Sequence, residues 1–191
     1  MAHSVTEKRP GKRERLVASA RDLLHQQGVQ RTTLAQIAEA ADVPPGNVYY
    51  YFKTRDDLVR AVIEERADSI RALLGSFERR STPRARLKGL ARSWADVADL
   101  VAAHGCPLGS LSSELNKQDE GLACDAAQLF TLVIDWAEAQ FKALGRRDTH
   151  DLAITLFAGV QGAALLANTL RDPKILAREV RRLERWIDSL A

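Results

Sequence analysis

Apolar residues along this chain return every three or four positions, and no stretch alternates with period two for long. Leu16, Val17, Ala20, Leu23 and Leu24 make one helical face, closed by Gly28. Leu34, Ile37, Ala38 and Ala41 make the next, with Thr33 as expected N-cap and Gln36 completing a capping box. Thr54 and Asp57 repeat that signature and open a long helix through Leu58, Val62, Ile63 and Ile70 towards Phe77. Thr82-Pro83 supplies cap and first-turn proline for a helix over 82–101 that carries Leu87, Leu90, Ala91, Trp94, Val97, Ala98 and Val101 inward. HGCPLG then breaks the chain, and a short helix passes through Leu111 and Leu115. Asp119 starts another, carrying Leu122, Ala126, Leu129, Phe130, Val133, Trp136 and Phe141. Asp148 is placed to cap 149–170. Asp172-Pro173 opens the last helix, with Leu176, Val180, Leu183, Trp186, Ile187 and Leu190 on one side. The pattern predicts about nine helices, without repeats or low-complexity linkers. The architecture is all-α.

One stretch breaks the rhythm. PPGNVYYYFKTR, residues 44–55, holds every tyrosine of the chain next to a phenylalanine. It follows a short helix and a turn near Ala41-Asp42-Val43, which is helix-turn-helix spacing. A second helix can start at Pro45, where the missing N–H is no loss. At about 100° per residue, Phe52 falls roughly 40° from Val48, so both point towards Ile37 and Val43. Tyr50 and Lys53 face away, and Tyr49 and Tyr51 flank the buried pair. Such outward tyrosines suit DNA: the ring has few rotamers to freeze, and the hydroxyl bonds a phosphate or a base edge. Gly46 and Asn47 in the first turn allow close approach to a groove. Arg55, just past the Thr54 cap, is placed to reach a phosphate. The competing reading is a hydrophobic surface for another protein.

Residues 12 to 60 resemble the DNA-binding domain of the tetracycline-repressor (TetR) family. That family's pattern appears here as Thr33, then IAEAADV, then VYYYFKTRDDL. The resemblance implies phosphate contacts from Tyr49, Tyr51 and Arg55, and base-facing positions at Asn47 and Tyr50. Thr33, Gly46 and Lys53 complete the candidate DNA-binding set. Val48, Tyr51, Arg55 and Pro44-Pro45 depart from the usual residues, which bears on the operator sequence rather than the activity. The resemblance further implies a division into a DNA-binding domain, 1–60, and an all-α ligand-binding and dimerisation domain, 61–191. GCPLGSLSSEL, 105–115, is similar to a subgroup that includes regulators of multidrug-efflux genes.

Charge fits a polyanionic partner. The chain's net charge is +3, but residues 1–21 hold six bases (Lys8, Arg9, Lys12, Arg13, Arg15, Arg21) against Glu7 and Glu14. A basic arm favours nucleic acid, and a solvated tail is the alternative. No apolar segment follows it, so it does not read as a signal peptide, and two cysteines do not make a disulfide framework; a cytoplasmic protein is expected. The uncharged run 152–170 approaches membrane-spanning length, yet Thr155, Gln161, Asn168 and Thr169 favour a helix buried on most sides.

The second domain is less explicit. The family's two-helix homodimer contact maps to 149–170 and 172–190, with Ala158, Gly159, Gly162, Ala163 and Ala167 allowing close approach and Leu183 and Trp186 opposite. Trp94, Phe130, Val133, Trp136 and Phe157 are candidate walls of an apolar effector cavity, with Cys106–Leu108 as a lid loop. Gln161, Gln128, Thr131 and Asn168 are the polar groups available to orient a ligand. Cys106, beside His104 and a helix start, is also a candidate thiol or electrophile sensor. The histidines show no metal-ligand spacing, no G-x-S-x-G is present and no phosphate loop exists, so no cofactor, metal or catalytic residue is expected. The expectation is a homodimeric, ligand-released repressor of double-stranded DNA; an all-α adaptor and an all-α ligand-binding enzyme are the alternatives of other classes.

Overall fold

A computed structural model of the chain describes residues 10–117 and 120–190, and every regular element among them is an α-helix. The chain divides after Val62 into two compact units, two residues beyond the expected boundary. The first holds α1 (Lys12–Gln27), α2 (Leu34–Ala40), α3 (Pro45–Tyr51) and the opening turns of α4 (Arg55–Phe77). Leu16, Ala20, Ile37, Ala38, Val48 and Phe52 are at most 3% exposed and form its small core. Burying each large aliphatic side chain contributes about 1.5–3 kcal/mol, so few are needed to hold three short helices. Lys12, Arg13, Arg15 and Arg21 belong to α1 rather than to a tail. Glu7, Lys8 and Arg9 lie outside the described residues.

The second unit holds the rest of α4 and α5 (Pro83–Ala95), α6 (Ala98–His104), α7 (Pro107–Leu115), α8 (Glu120–Ala143), α9 (Thr149–Leu170) and α10 (Pro173–Ser189). Helix α9 packs against α5, α6, α8 and α10. Its length and mean hydropathy of 1.5 would permit a membrane crossing. Yet Leu152, Leu156, Phe157, Val160, Ala163, Ala164 and Ala167 are buried within this unit, as a core helix requires.

Three local expectations change. The helix over 82–101 is two helices, α5 and α6, and Val97 between them is 40% exposed rather than inward. Leu87, Leu90, Ala91 and Trp94 before the break stay in step with Ala98, Val101 and Ala102 after it, so periodicity alone does not reveal it. Cys106–Leu108 is not a loop: Cys106 stands at the N-cap position of α7, Pro107 opens the helix, and Leu108 is buried in its first turn. Gly105 precedes this with φ +84°, where an added Cβ would lie 2.4 Å from Ser110 Oγ, so the turn needs glycine twice over. Asp148 stands at the N-cap of α9, but its side chain makes no cap hydrogen bond. The Arg146 guanidinium takes that carboxylate instead, at 3.3 Å, and holds its pKa below the ordinary value. Asp119, expected to start the next helix, lies outside the described residues.

Candidate nucleic-acid interface and the regulatory unit

The geometry of the site begins in the turn that ends α2. Asp42 adopts φ +51°, the left-handed conformation. Around it Val43 N–H donates to Ala38 O at 3.0 Å and Asp42 N–H to Glu39 O at 3.1 Å, the paired bonds of a Schellman motif. Val43 and Ala38 are both buried, which supplies the apolar contact of that motif. Aspartate is among the residues that visit this region without large strain. Arg15 of α1 reaches Asp42 at 3.2 Å, tying the first helix to the turn. Sequence reading missed this clamp; a short polar residue between two short helices was its available signal.

The turn aims α3. Pro45 opens the helix, Val48 is 1% exposed, and the chain leaves the helix at Phe52, which is extended but still inward at 3% exposure. Arg13 stacks over the Phe52 ring at 5.4 Å, a second contact from α1 to the recognition segment that the sequence did not announce. Outward, Tyr50 is 75% exposed and Tyr49 59%. Tyr51 is half-buried and stands edge-on to the Tyr50 ring at 5.0 Å, so it buttresses the most exposed tyrosine. Gly46 is exposed, and a Cβ added there meets no atom within 4 Å. Asn47 beside it is half-buried.

The flanking positions have internal work as well. Thr33 and Gln36 form the expected capping box: Gln36 N–H donates to Thr33 Oγ1 at 3.2 Å and Thr33 N–H to Gln36 Oε1 at 2.9 Å. Lys53 Nζ donates to Tyr49 O at 3.1 Å, closing the C-terminal end of α3. Its ammonium therefore serves the helix end as well as the exposed face. Arg55 is half-buried, with one terminal guanidinium nitrogen enclosed and without a hydrogen-bond partner. Thr54 and Asp57 cap α4 reciprocally, both bonds at 3.0 Å. The Thr54 backbone N–H, with its hydroxyl, holds the Asp57 carboxyl below its ordinary pKa.

In the second unit the predicted residues separate. Trp94, Phe157 and Phe130 form one aromatic cluster, with ring centroids 5.8 and 5.2 Å apart. Gln161, one turn beyond Phe157 on α9, donates to the buried Cys106 Sγ at 3.5 Å. A buried thiol is shielded from the oxidants and electrophiles that a sensor must meet, so the sensing alternative gains no geometric support. Trp136 is elsewhere: it packs on Phe77 at 6.0 Å, and its indole N–H donates to Glu78 at 2.8 Å. Val133 is buried, whereas Gln128 and Thr131 are exposed. Asn168 donates to Ala102 O at 3.1 Å, finishing α6 rather than facing a ligand.

The expected dimer residues also divide. Ala163, Ala167 and Leu183 are buried inside the unit, and Trp186 stacks on Phe141 at 5.9 Å. Gly159 faces Leu183 of α10, where an added Cβ would come within 3.2 Å of Leu183 Cδ2. Ala158 and Gly162 are exposed and line a groove of about 570 Å³ with Leu166 and Ile175. Leu165, Leu166 and Leu170 on the same helix are 68, 52 and 62% exposed.

A Schellman turn between two short helices, with tyrosines projecting from the second, defines a helix-turn-helix DNA-binding protein. Residues 16–62 match the bacterial regulatory proteins of the tetR family, and residues 83–181 match the LmrA/YxaF-like transcriptional-regulator C-terminal domain. The regulator RutR of Escherichia coli is 33% identical over 196 residues, covering 92% of this chain and 88% of its own. The regulator TtgR of Pseudomonas putida is 25% identical over 188 residues, covering 93% and 88%. A TetR regulator from Legionella pneumophila superposes with a TM-score of 0.81 over 100% of this chain and 99% of that one, at 23% identity, a likeness of fold. The chain belongs to the tetR family of transcriptional regulators. The adaptor reading of the tyrosine face draws no support from these matches.

Proposed function

We propose that the protein is a cytoplasmic homodimeric repressor that holds a palindromic operator and releases it when a small, mostly apolar effector binds. The single observation that carries the DNA-binding half is the face formed by Gly46, Asn47, Tyr49 and Tyr50. Two tyrosines more than half exposed beside an unencumbered glycine would be poor economy for a free surface, and they suit a groove. Phosphate contacts are assigned to Tyr49, Tyr51, Lys53 and Arg55, and base contacts to Asn47 and Tyr50. A helix of seven residues reads only a few base pairs, so a second copy is required for specificity. The exposed Leu165, Leu166 and Leu170, with Ala158 and Gly162, support a partner on the outer face of α9.

Effector response is assigned to the aromatic cluster of Trp94, Phe130 and Phe157, with Gln161 as its polar neighbour. Helix α4 runs unbroken from the Thr54 cap into the second unit and is the proposed connection. The test starts from duplexes selected out of a random pool. Enriched two-fold-related half-sites support the reading, and no enrichment overturns it. With that operator, calorimetric titration of aromatic compounds should give affinities lowered by bound duplex about 5- to 150-fold, the range of ordinary couplings. The same compound must weaken operator binding by the same factor. Equal affinities with and without duplex would remove the effector half and leave the DNA half intact.

A further inference from the structure

The regulatory unit carries a cleft that neither the DNA-binding face nor the aromatic cluster uses. Arg80, Arg84, Lys88 and Arg92 stand four residues apart, from the turn after α4 along one face of α5. Together with Thr82 and Asp188 they line a cleft of about 270 Å³. Two of the four cations are neutralised by the last turns of α10: Lys88 Nζ meets Asp188 at 2.8 Å, and Arg92 pairs with Glu184. Arg80 and Arg84 have no carboxylate partner among the described residues. The Arg84 Nε is enclosed and lacks any hydrogen-bond acceptor.

Arg80 is held rather than loose. Its guanidinium lies over the Phe77 ring at 5.5 Å and crosses α5 where Gly89 leaves room. A Cβ at Gly89 would stand 2.8 Å from Arg80 Cζ and Nε, so any larger residue would displace this guanidinium. Its own carbonyl accepts from Arg86 Nε at 3.0 Å, and Thr82 caps α5 through Ala85 N–H at 3.1 Å, which fixes the turn between them. A pre-positioned Arg80 fork beside an Arg84 whose Nε lacks an acceptor matches a tetrahedral oxyanion better than a single carboxylate. Like charges four residues apart also repel, and a multivalent anion relieves that repulsion.

We propose that this cleft binds a compact multivalent oxyanion of the phosphate class. Arg80 and Arg84 are its direct ligands, with Lys88 and Arg92 as outer charges. The test is calorimetric titration of the full chain with pyrophosphate in low-chloride buffer. One saturable site per chain is expected. Arg80→Gln and Arg84→Gln should each weaken it on the order of tenfold or more, as the loss of a charge-assisted bond implies. Arg84→Lys, which keeps the charge and loses the fork, should fall between. Arg79→Gln removes the same charge from an exposed position that does not line the cleft, and should change affinity less than about threefold. Circular dichroism melting of each variant separates lost binding from lost fold. Absent saturable binding at millimolar pyrophosphate overturns the proposal, as does equal weakening by Arg79→Gln. Displacement of pyrophosphate by a short non-operator duplex overturns it in favour of backbone phosphate.

Discussion

Replacing Gly46 by alanine separates what the fold requires from what the operator requires. Gly46 is the second residue of α3, its φ is not positive, and an alanine methyl would meet no atom within 4 Å. The fold therefore accepts the change. Alanine is favoured over glycine in helices by about 0.5–1 kcal/mol, with the smaller end expected near an N-terminus. One kcal/mol moves Tm by roughly 4–8 °C in a domain of this size, so about 0.5 kcal/mol should raise the melting of the first unit by about 2–4 °C. On the proposed DNA-binding face the same methyl would stand between the first turn of α3 and the groove. Losing one hydrogen bond to a phosphate costs about 1.5–3 kcal/mol, or roughly 10- to 150-fold in affinity for each half-site. Melting and operator titration on one preparation give both numbers. A variant that is more stable and binds less tightly is the expected result. Unchanged operator affinity would remove Gly46 from the interface and refute the assignment of this face.

Arg55→Ala should weaken operator and random DNA alike and flatten the salt slope by about one unit, whereas Tyr50→Ala should weaken the operator more than random DNA. Gel-shift titrations at several salt concentrations distinguish them, and equal losses on both DNAs for both variants would sink the division of roles. Gly162→Asp adds a side chain where nothing lies within 4 Å, so the fold should persist, but the charge would be desolvated against a partner subunit at several kcal/mol. Sedimentation should show monomers and operator titration a loss of binding; an intact dimer rejects this interface. Asp57 has a depressed folded-state pKa, so its cap contributes stability at neutral pH that is lost as pH falls through that pKa. The Tm gap between wild type and Asp57→Ala should be constant near neutrality and close in acid, and a gap that widens in acid contradicts the cap.

The DNA-binding unit was largely legible because its signals are local. Capping boxes at Thr33 and Thr54, the proline at position 45 and the four-residue step from Val48 to Phe52 each act within one turn of helix. Each appears in the structure where the spacing puts it. The Arg15–Asp42 pair and the Arg13–Phe52 stack were not legible, since they join residues 27 and 39 positions apart through an ordinary-looking basic segment. Charge near the N-terminus predicts an arm for DNA, yet Arg15 holds the turn and Arg13 the recognition segment.

The second unit was harder for a different physical reason. A small residue on a helix permits close approach of another helix, whichever chain that helix belongs to. The spacing of Gly159, Ala163 and Ala167 fits a partner helix, but their neighbours include α10 of the same chain and the interior of the unit. Neighbouring positions around α9, among them Ala158, Gly162, Leu165 and Leu166, remain outward, and a shift of one residue turns a helical side chain by about 100°. The aromatic cluster carries the same ambiguity. Trp94, Phe130 and Phe157 meet edge to face, which is a good core arrangement and worth about 0.5–1.5 kcal/mol for each ring pair. An effector entering there would have to exchange those contacts for its own. That exchange is also what would give it unequal affinity for two conformations, and only such inequality can move an equilibrium on DNA. Composition cannot separate a cluster that only packs from one that packs until a ligand replaces part of it, because both need the same rings at the same spacing.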